Sequence, residues 1–382
     1  MKKLLLSLFG LDEASLQDPA NIVGIVLTFA VWALVLALFL VLLFKKRFQI
    51  HRWGNKVWQR TKLLIQTGWF LLTNSFMIGW VKGTIYQGSL KYVCVPGMNC
   101  YSCPGAFGAC PIGALQAVLD EFDVSKSWFD PASGTYVQAP LYWFAFYVIG
   151  FLMIVGALCG RLICGLLCPF GWIQDLLYKI PVKKLKLPRD EKRINGMKHP
   201  GTVRFFLGVD KYLRYAKYAF LVVMVIFLPL VVKANPWFCK YVCPSGMLLG
   251  GIPLMSRNEG LRDAAGQLTL LKLCIMTFTV VLSMFLYRPF CRYICPLGAV
   301  YSLFNPVSLY KYGIDDSKCN RCKGCHACAN ACPMGVDPVK TPNSPECIRC
   351  GTCNATCPQK AIHAGFKMKT VEGNAIRTHK HK

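Results

Sequence analysis

The chain is poor in charge and poorer still in acid. Only 16% of its 382 residues are Asp, Glu, Lys or Arg, and 18 acidic side chains stand against 44 basic ones. With 54% apolar residues and a mean hydropathy of +0.39, that scarcity excludes an ordinary soluble globule and makes the membrane the first question. Histidine is scarce too. His51, His199, His326, His363, His379 and His381 all lie outside the apolar runs, so axial ligands for a haem between membrane helices are missing and no b-type haem is expected. Also lacking are a Rossmann glycine fingerprint, a P-loop and a flavin-binding pattern, which removes nucleotide-driven chemistry. What remains to carry chemistry is cysteine, of which there are 21.

Five apolar runs approach the length that crosses about 30 Å of hydrocarbon: Asn21–Phe44, Leu63–Val81, Leu141–Leu158, Tyr218–Val232 and Leu268–Leu286. The second is the weakest, because Gln66, Thr67 and Asn74 would have to face other helices rather than lipid. The first ten residues form a short apolar stretch that leads into Asp12 and Glu13 without a small-residue cleavage site, so no cleaved signal peptide is expected. Lys45, Lys46, Arg47, Arg52, Lys56, Arg60 and Lys62 follow the first run with no acid among them, which places that loop in the cytoplasm and the N-terminus outside. Alternation then puts the basic stretch 160–217 inside, in agreement with the same rule, and the cysteine-rich tail in the cytoplasm. The net charge of +26 therefore follows from topology and anionic lipid headgroups, and no nucleic acid is expected as a partner. The basic tail suits an acidic soluble redox partner.

Cys322, Cys325, Cys328 and Cys332-Pro333 spell C-x-x-C-x-x-C-x-x-x-C-P, and Cys347, Cys350, Cys353 and Cys357-Pro358 repeat it. Three closely spaced thiolates hold three irons of a cubane, while the fourth cysteine of each run ligates the other cluster. The expected sets are Cys322, Cys325, Cys328 and Cys357 for one [4Fe-4S] cluster, and Cys347, Cys350, Cys353 and Cys332 for the other. Zinc needs no two matched quartets with proline after the last cysteine. Cys319 adds a further C-x-x-C step and is read as a spare thiol rather than a replacement for Cys322. Cys322 to His326 reads C-x-x-C-H, the c-haem attachment pattern, but both cysteines are needed by the cluster and the segment is cytoplasmic.

A second pattern recurs upstream: Cys110-Pro-Ile-Gly, Cys168-Pro-Phe-Gly, Cys243-Pro-Ser-Gly and Cys295-Pro-Leu-Gly. Three have another cysteine four residues earlier, at Cys164, Cys239 and Cys291, while the first has Cys100 and Cys103 upstream. On the expected topology the copies alternate outside, inside, outside, inside, which makes the membrane core a tandem duplication about a pseudo-two-fold along the membrane normal. The inner motifs supply Cys164, Cys168, Cys291 and Cys295, a full ligand set for one cluster. The outer motifs supply Cys239, Cys243 and Cys110 with one or two of Cys94, Cys100 and Cys103. Six candidates exceed four sites, so an outer disulfide among the surplus stays open. Cys159 and Cys274 fall within or at the ends of spanning helices and read as small buried residues.

Fold class follows: an all-α membrane bundle of about five transmembrane helices with a tandem two-helix repeat, then a C-terminal α+β bacterial two-cluster ferredoxin domain. The expected boundaries are 1–62 for the first helix and basic loop, 63–312 for the duplicated membrane domain, 313–366 for the ferredoxin and 367–382 for a basic tail.

The run PFCRYICPLGAVYSLFNPVSL, with CPMGVDP and CIRCGTC after it, resembles the membrane polyferredoxins of the NapH type, and the iron-sulfur half of nitrous-oxide-reductase regulators shares such motifs. The resemblance covers roughly Leu141 to the last cluster motif. It implies electron transfer between the quinone pool or a cytoplasmic donor and a membrane or external redox partner, in a bacterial or archaeal cytoplasmic membrane, as a subunit of an oxidoreductase system rather than a stand-alone catalyst. A maturation or regulatory protein supplying electrons for metalloenzyme assembly is the alternative. The outer motif departs from shorter relatives, so their electron path cannot simply be copied.

Overall fold

The computed structural model describes residues 19–44, 55–121, 139–185, 200–232, 235–319, 325–366, 370–371 and 374–377. Most are helical. Helix covers each of the five apolar runs, in Pro19–Phe44, Asn55–Thr73 with Met77–Lys82, Ala139–Cys159, a continuous run through Gly201–Val231, and Gln267–Phe285. Among the described residues two of these, Gly201–Val231 and Gln267–Phe285, are long and apolar enough to cross a membrane. Their apolar side chains point mostly outward: Val222, Phe227, Leu270 and Phe278 are all exposed.

Two expected runs have a different shape from the sequence reading. The second is broken after Thr73, and the break is stitched by backbone from a later loop: Phe76 N donates to Gly105 O (3.0 Å) and Phe107 N to Thr73 O (3.1 Å). The fourth begins well before Tyr218, at Pro200, and widens to π geometry over Phe220–Phe227. Pro229 follows at once. Proline has no N–H for the residue four back and its ring crowds that carbonyl, so the helix widens just ahead of it.

The chain divides into two compact units, Met1–Leu38 with Gly68–Ile154 and Ala219–Thr279, and Phe39–Thr67 with Val155–Tyr218 and Val280–Lys382. The divisions fall within the five apolar helical segments, so each of these contributes one end to each unit.

In the first unit Phe76, Tyr86 and Phe107 form a buried aromatic cluster with Ile78, the rings meeting edge to face at 5.1 Å for Phe76 with Tyr86 and 4.8 Å for Tyr86 with Phe107. Thr28 Oγ1 donates to Ser75 O (2.8 Å) and Trp32 Nε1 to Ser75 Oγ (2.8 Å), which fixes the first helix to the break in the second.

In the second unit a small antiparallel sheet runs in the order β2-β1-β4-β3, with β1 Lys311–Asp315, β2 Ile362–Gly365, β3 Thr370–Val371 and β4 Asn374–Arg377. Tyr312 pairs with Ala364 and Ile314 with Ile362. Tyr312, Ile314 and Ile362 are its core, and Cys319, Cys328, Cys353 and Cys357 pack around it.

Candidate metal centres

The Cys-Pro-x-Gly tetrapeptide is a helix start in which cysteine does the capping. Cys168 and Cys295 hold extended backbone as N-caps of Pro169–Lys179 and Pro296–Phe304, with proline in the first turn where its missing N–H costs nothing. The sulfur takes the place of a capping oxygen: Gly171 N lies 3.4 Å from Cys168 Sγ and Gly298 N 3.3 Å from Cys295 Sγ. Cys110 and Cys243 stand directly before Pro111–Glu121 and Pro244–Gly246, and Cys243 is an N-cap with extended backbone but no side-chain capping bond. At Cys168 and Cys295 the motif thus aims a sulfur and the positive end of a short helix at one point.

The inner cysteines come together in the second unit. Cys164, Cys168, Cys291 and Cys295 are all buried. Burial pushes the Cys291 thiol up to about 12, and Cys168 and Cys164 push it the same way; burial and all three companions likewise raise Cys295.

Two fully buried arginines cross between the repeats. Arg161, three residues before Cys164, donates from Nη2 to Cys291 O at 3.2 Å. Arg288, three residues before Cys291, donates from Nη1 to Cys164 O and from Nη2 to Gly165 O at 3.4 Å. Each repeat's arginine therefore holds the backbone at the other repeat's leading cysteine. Asp175 fixes Arg288 through two bonds of 2.6 Å and also accepts from Lys62 Nζ (2.7 Å) and Gln66 Nε2 (3.0 Å). Gln66 is thus one of the polar residues of the weak second run that the sequence required to face protein.

In the same unit the second C-x-x-C-x-x-C-x-x-x-C-P run is bonded to this centre. Arg161 Nη1 reaches Pro345 O at 2.8 Å and pairs with Glu346 at 3.4 Å, and Lys217 pairs with Glu346 as well. Asn305 Nδ2 donates to Ser344 O and Cys347 O, both at 2.7 Å. Arg349 donates to Cys159 O (2.9 Å) and Asn305 O (2.7 Å), and Trp58 Nε1 to Cys350 O (2.9 Å). Cys332, Cys347, Cys350 and Cys353 line one small cavity of about 20 Å³. These are the four cysteines expected to share a cluster through crossed ligation. Of the other expected set, Cys328 and Cys357 share the sheet-side cluster with Cys319. Cys325 is half-buried, and Cys322 lies outside the described residues.

The outer cysteines come together in the first unit, around a cavity of about 650 Å³ whose wall includes Cys94, Cys100, Cys110, Cys239 and Cys243. Burial pushes Cys110 up to about 11 and Cys243 up to about 12, and Cys100 raises both further. Cys103 is fully buried outside this wall, its Sγ 3.4 Å from Asn74 Oδ1. Cys94 N donates to the Tyr147 hydroxyl oxygen at 3.0 Å, and burial raises its thiol.

Among the described residues no three cysteine, histidine or carboxylate side chains converge on a single-ion site. The donors are soft thiols with backbone N–H groups aimed at the sulfurs, the set that a thiolate-ligated iron cluster requires. Lys91 adds a second observation. It is 5% exposed, donates to Tyr101 O (2.6 Å) and Ala106 O (3.1 Å), and among the described residues has no carboxylate partner. Burial lowers it to about 8, while Cys103 and Cys100 pull the other way. A buried ammonium beside Cys100 calls for an anionic group in the cavity, which a tetrathiolate cluster is.

Comparison with known proteins agrees with this chemistry. Residues 141–188, 216–262 and 268–314 each match the 4Fe-4S binding domain family. A stretch of 221 residues, 57% of this chain, is 29% identical to an uncharacterized protein of Methanocaldococcus jannaschii and covers 77% of it. The ferredoxin-type protein NapH of Escherichia coli is 25% identical over 54% of this chain and 63% of its own length. The regulatory protein NosR of Stutzerimonas stutzeri is 26% identical over 52% of this chain and 24% of its own. The resemblance to the NapH-type polyferredoxins holds. The aligned part spans less than two thirds of NapH and about a quarter of NosR. No solved structure matches. The three matched segments contain Cys164 and Cys168, Cys239 and Cys243, and Cys291 and Cys295. The crossed arginines and the buried glutamines described below went unread in the sequence, though Arg161 and Arg288 stand at one spacing before the leading cysteines.

Proposed function

We propose that the chain spans a membrane through five helices, N-terminus outside and ferredoxin in the cytoplasm, and relays electrons through four [4Fe-4S] clusters. When bound, the clusters supply one-electron carriers. The ligand sets are Cys322, Cys325, Cys328 and Cys357; Cys347, Cys350, Cys353 and Cys332; Cys164, Cys168, Cys291 and Cys295; and Cys100, Cys110, Cys239 and Cys243. Cys103 and Cys94 are left out of the outer set, because Cys103 is turned to Asn74 and the buried Cys94 is capped by Tyr147 at its backbone.

The observation that carries the reading is the docking of 344–350 on the inner centre. Arg161 bonds both Cys291 O and Pro345 O, so one fully buried side chain joins the inner motif to the loop bearing Cys347 and Cys350. A ferredoxin that merely hung from a membrane anchor would need no such joint. Lipid covers the outward apolar helices, a soluble redox protein or dehydrogenase exchanges electrons with the basic ferredoxin side, and an external redox partner meets the outer site.

Iron and sulfide analysis of the purified full chain, with a redox titration followed by electron paramagnetic resonance, tests this. Sixteen irons in four reversibly titrating clusters are expected on the arithmetic of four per cubane. Only three clusters, all cytoplasmic, would overturn the transmembrane relay. The second reading is supply of electrons for metalloenzyme assembly along the same path; a loss-of-function phenotype restricted to cofactor assembly would select it.

A further inference from the structure

Each membrane centre contains a buried carboxamide placed alike. Gln116 follows Cys110 by six residues in C-P-I-G-A-L-Q, and Gln174 follows Cys168 by six in C-P-F-G-W-I-Q. Both reach across to the leading cysteine of the facing motif: Gln116 Nε2 lies 3.2 Å from Cys239 Sγ, and Gln174 Nε2 lies 3.2 Å from Cys291 Sγ. They are 0% and 1% exposed. The orientation of Gln116 is dictated by its neighbours. Its Oε1 accepts from Phe238 N at 2.9 Å and its Nε2 donates to Ile112 O at 3.2 Å, so a flipped amide would set donor against donor and acceptor against acceptor. Gln174 Nε2 lies 3.5 Å from Phe170 O, while its buried Oε1 has no hydrogen-bond partner among the described residues. The other two motifs carry Leu249 and Tyr301 at this position, which gives one such glutamine to each centre.

A leucine or methionine would fill either site without the cost of burying an amide. Two buried amides, each aimed at the leading sulfur of the facing motif of its own centre, point to the sulfur as the reason. We propose that Gln116 and Gln174 are positioning residues that hold the leading cysteine of the facing motif and set the reduction potential of the outer and inner clusters separately. On reduction a cluster gains one electron and one negative charge, with no bond made or broken. An N–H donated to a ligating sulfur stabilises that added charge and raises the potential. The neutral amide does so without a proton that could be lost, so the effect does not vary with pH.

The inference rests on the ligand sets proposed above. The test is a titration of the full chain by electron paramagnetic resonance in wild type, Gln116→Met and Gln174→Met, with iron counted in each. Methionine keeps the length and removes the donor. Each variant is expected to lower one midpoint, a different one in the two, with the reduction constant falling about tenfold, or about 59 mV for one electron. Gln116→Leu and Gln174→Leu, which remove the donor with a branched side chain in place of a linear one, are expected to lower the same midpoint as the methionine variant of that site. If a methionine variant loses its cluster, the leucine variant of that site decides: a selective downward shift supports the proposal, and an unchanged midpoint or loss of iron there too overturns a role in tuning. Unchanged midpoints in iron-complete methionine variants overturn it, as does an equal shift of both signals. Wild-type protein lacking the two membrane clusters would instead remove the underlying reading.

Discussion

Asp175 shows how much of the inner centre rests on single side chains. It is 7% exposed and holds Arg288 and Lys62, themselves 0% and 5% exposed, and Arg288 in turn holds Cys164 O and Gly165 O. Asp175→Asn leaves two buried cations without a carboxylate, a change that costs about 3–5 kcal/mol. Unfolding of the detergent-solubilised protein should show that loss, with iron lost first from the inner centre. Its pH dependence has a definite sign. Burial alone would raise the carboxyl, but Arg288 and Lys62 outweigh it and hold Asp175 well below the usual carboxylate range. A depressed carboxyl contributes fully above its unfolded value of about 3.9 and loses that contribution as pH falls through the folded value. The deficit of Asp175→Asn should therefore be constant between about pH 5 and 8 and shrink only in stronger acid; a deficit that changes near neutrality would assign the network a different titrating group. None of this was legible in the sequence, where Asp175 is one acid in a basic loop, because its partners lie 113 residues away on either side.

At the scale of the element, the cysteine spacings were readable and the closeness of neighbouring backbones was not. A C-x-x-x-C-P-x-G string dictates its own cap, first-turn proline and sulfur direction, all local consequences of covalent spacing. The crossing of one repeat over another depends on which motifs face each other. Gly165 marks such a crossing. A Cβ there would lie 2.2 Å from Ile348 O, a backbone atom of the docked loop that bears Cys347 and Cys350. Gly208 has open space by comparison, with nothing within 4 Å of such a Cβ. Gly165→Ala must push the loop bearing Cys347 and Cys350 off the inner motif, at about 1–3 kcal/mol for an overpacked methyl, whereas Gly208→Ala should be nearly neutral. Limited proteolysis of the two variants separates them: faster cleavage after Arg349 or Lys340 in Gly165→Ala alone is expected. Equal resistance would mean that the loop is not held at this contact.

For the whole molecule, helix over the apolar runs was legible from their hydropathy, and the break at Thr73 and the widened turn before Pro229 were not, since each is set by a partner or by a residue downstream. The proposed duplicated plan implies an orientation with a direct test. Lys and Arg are dense in 45–62 and 179–217 and sparse in 82–140, and the positive-inside rule assigns the dense stretches to the cytoplasm. Trypsin, which cuts after those residues, should remove the tail beyond Phe366 and cleave the dense stretches in inverted membrane vesicles, while in right-side-out vesicles cutting is confined to Lys2 and Lys3, 82–140 and 233–267. The docked loop sharpens the expectation, because Arg349 donates to Cys159 O and Asn305 O and is shielded where it stands. Tail loss in right-side-out vesicles would put the ferredoxin on the external face and reverse the assignment of inner and outer centres, while leaving the cysteine quartets themselves intact.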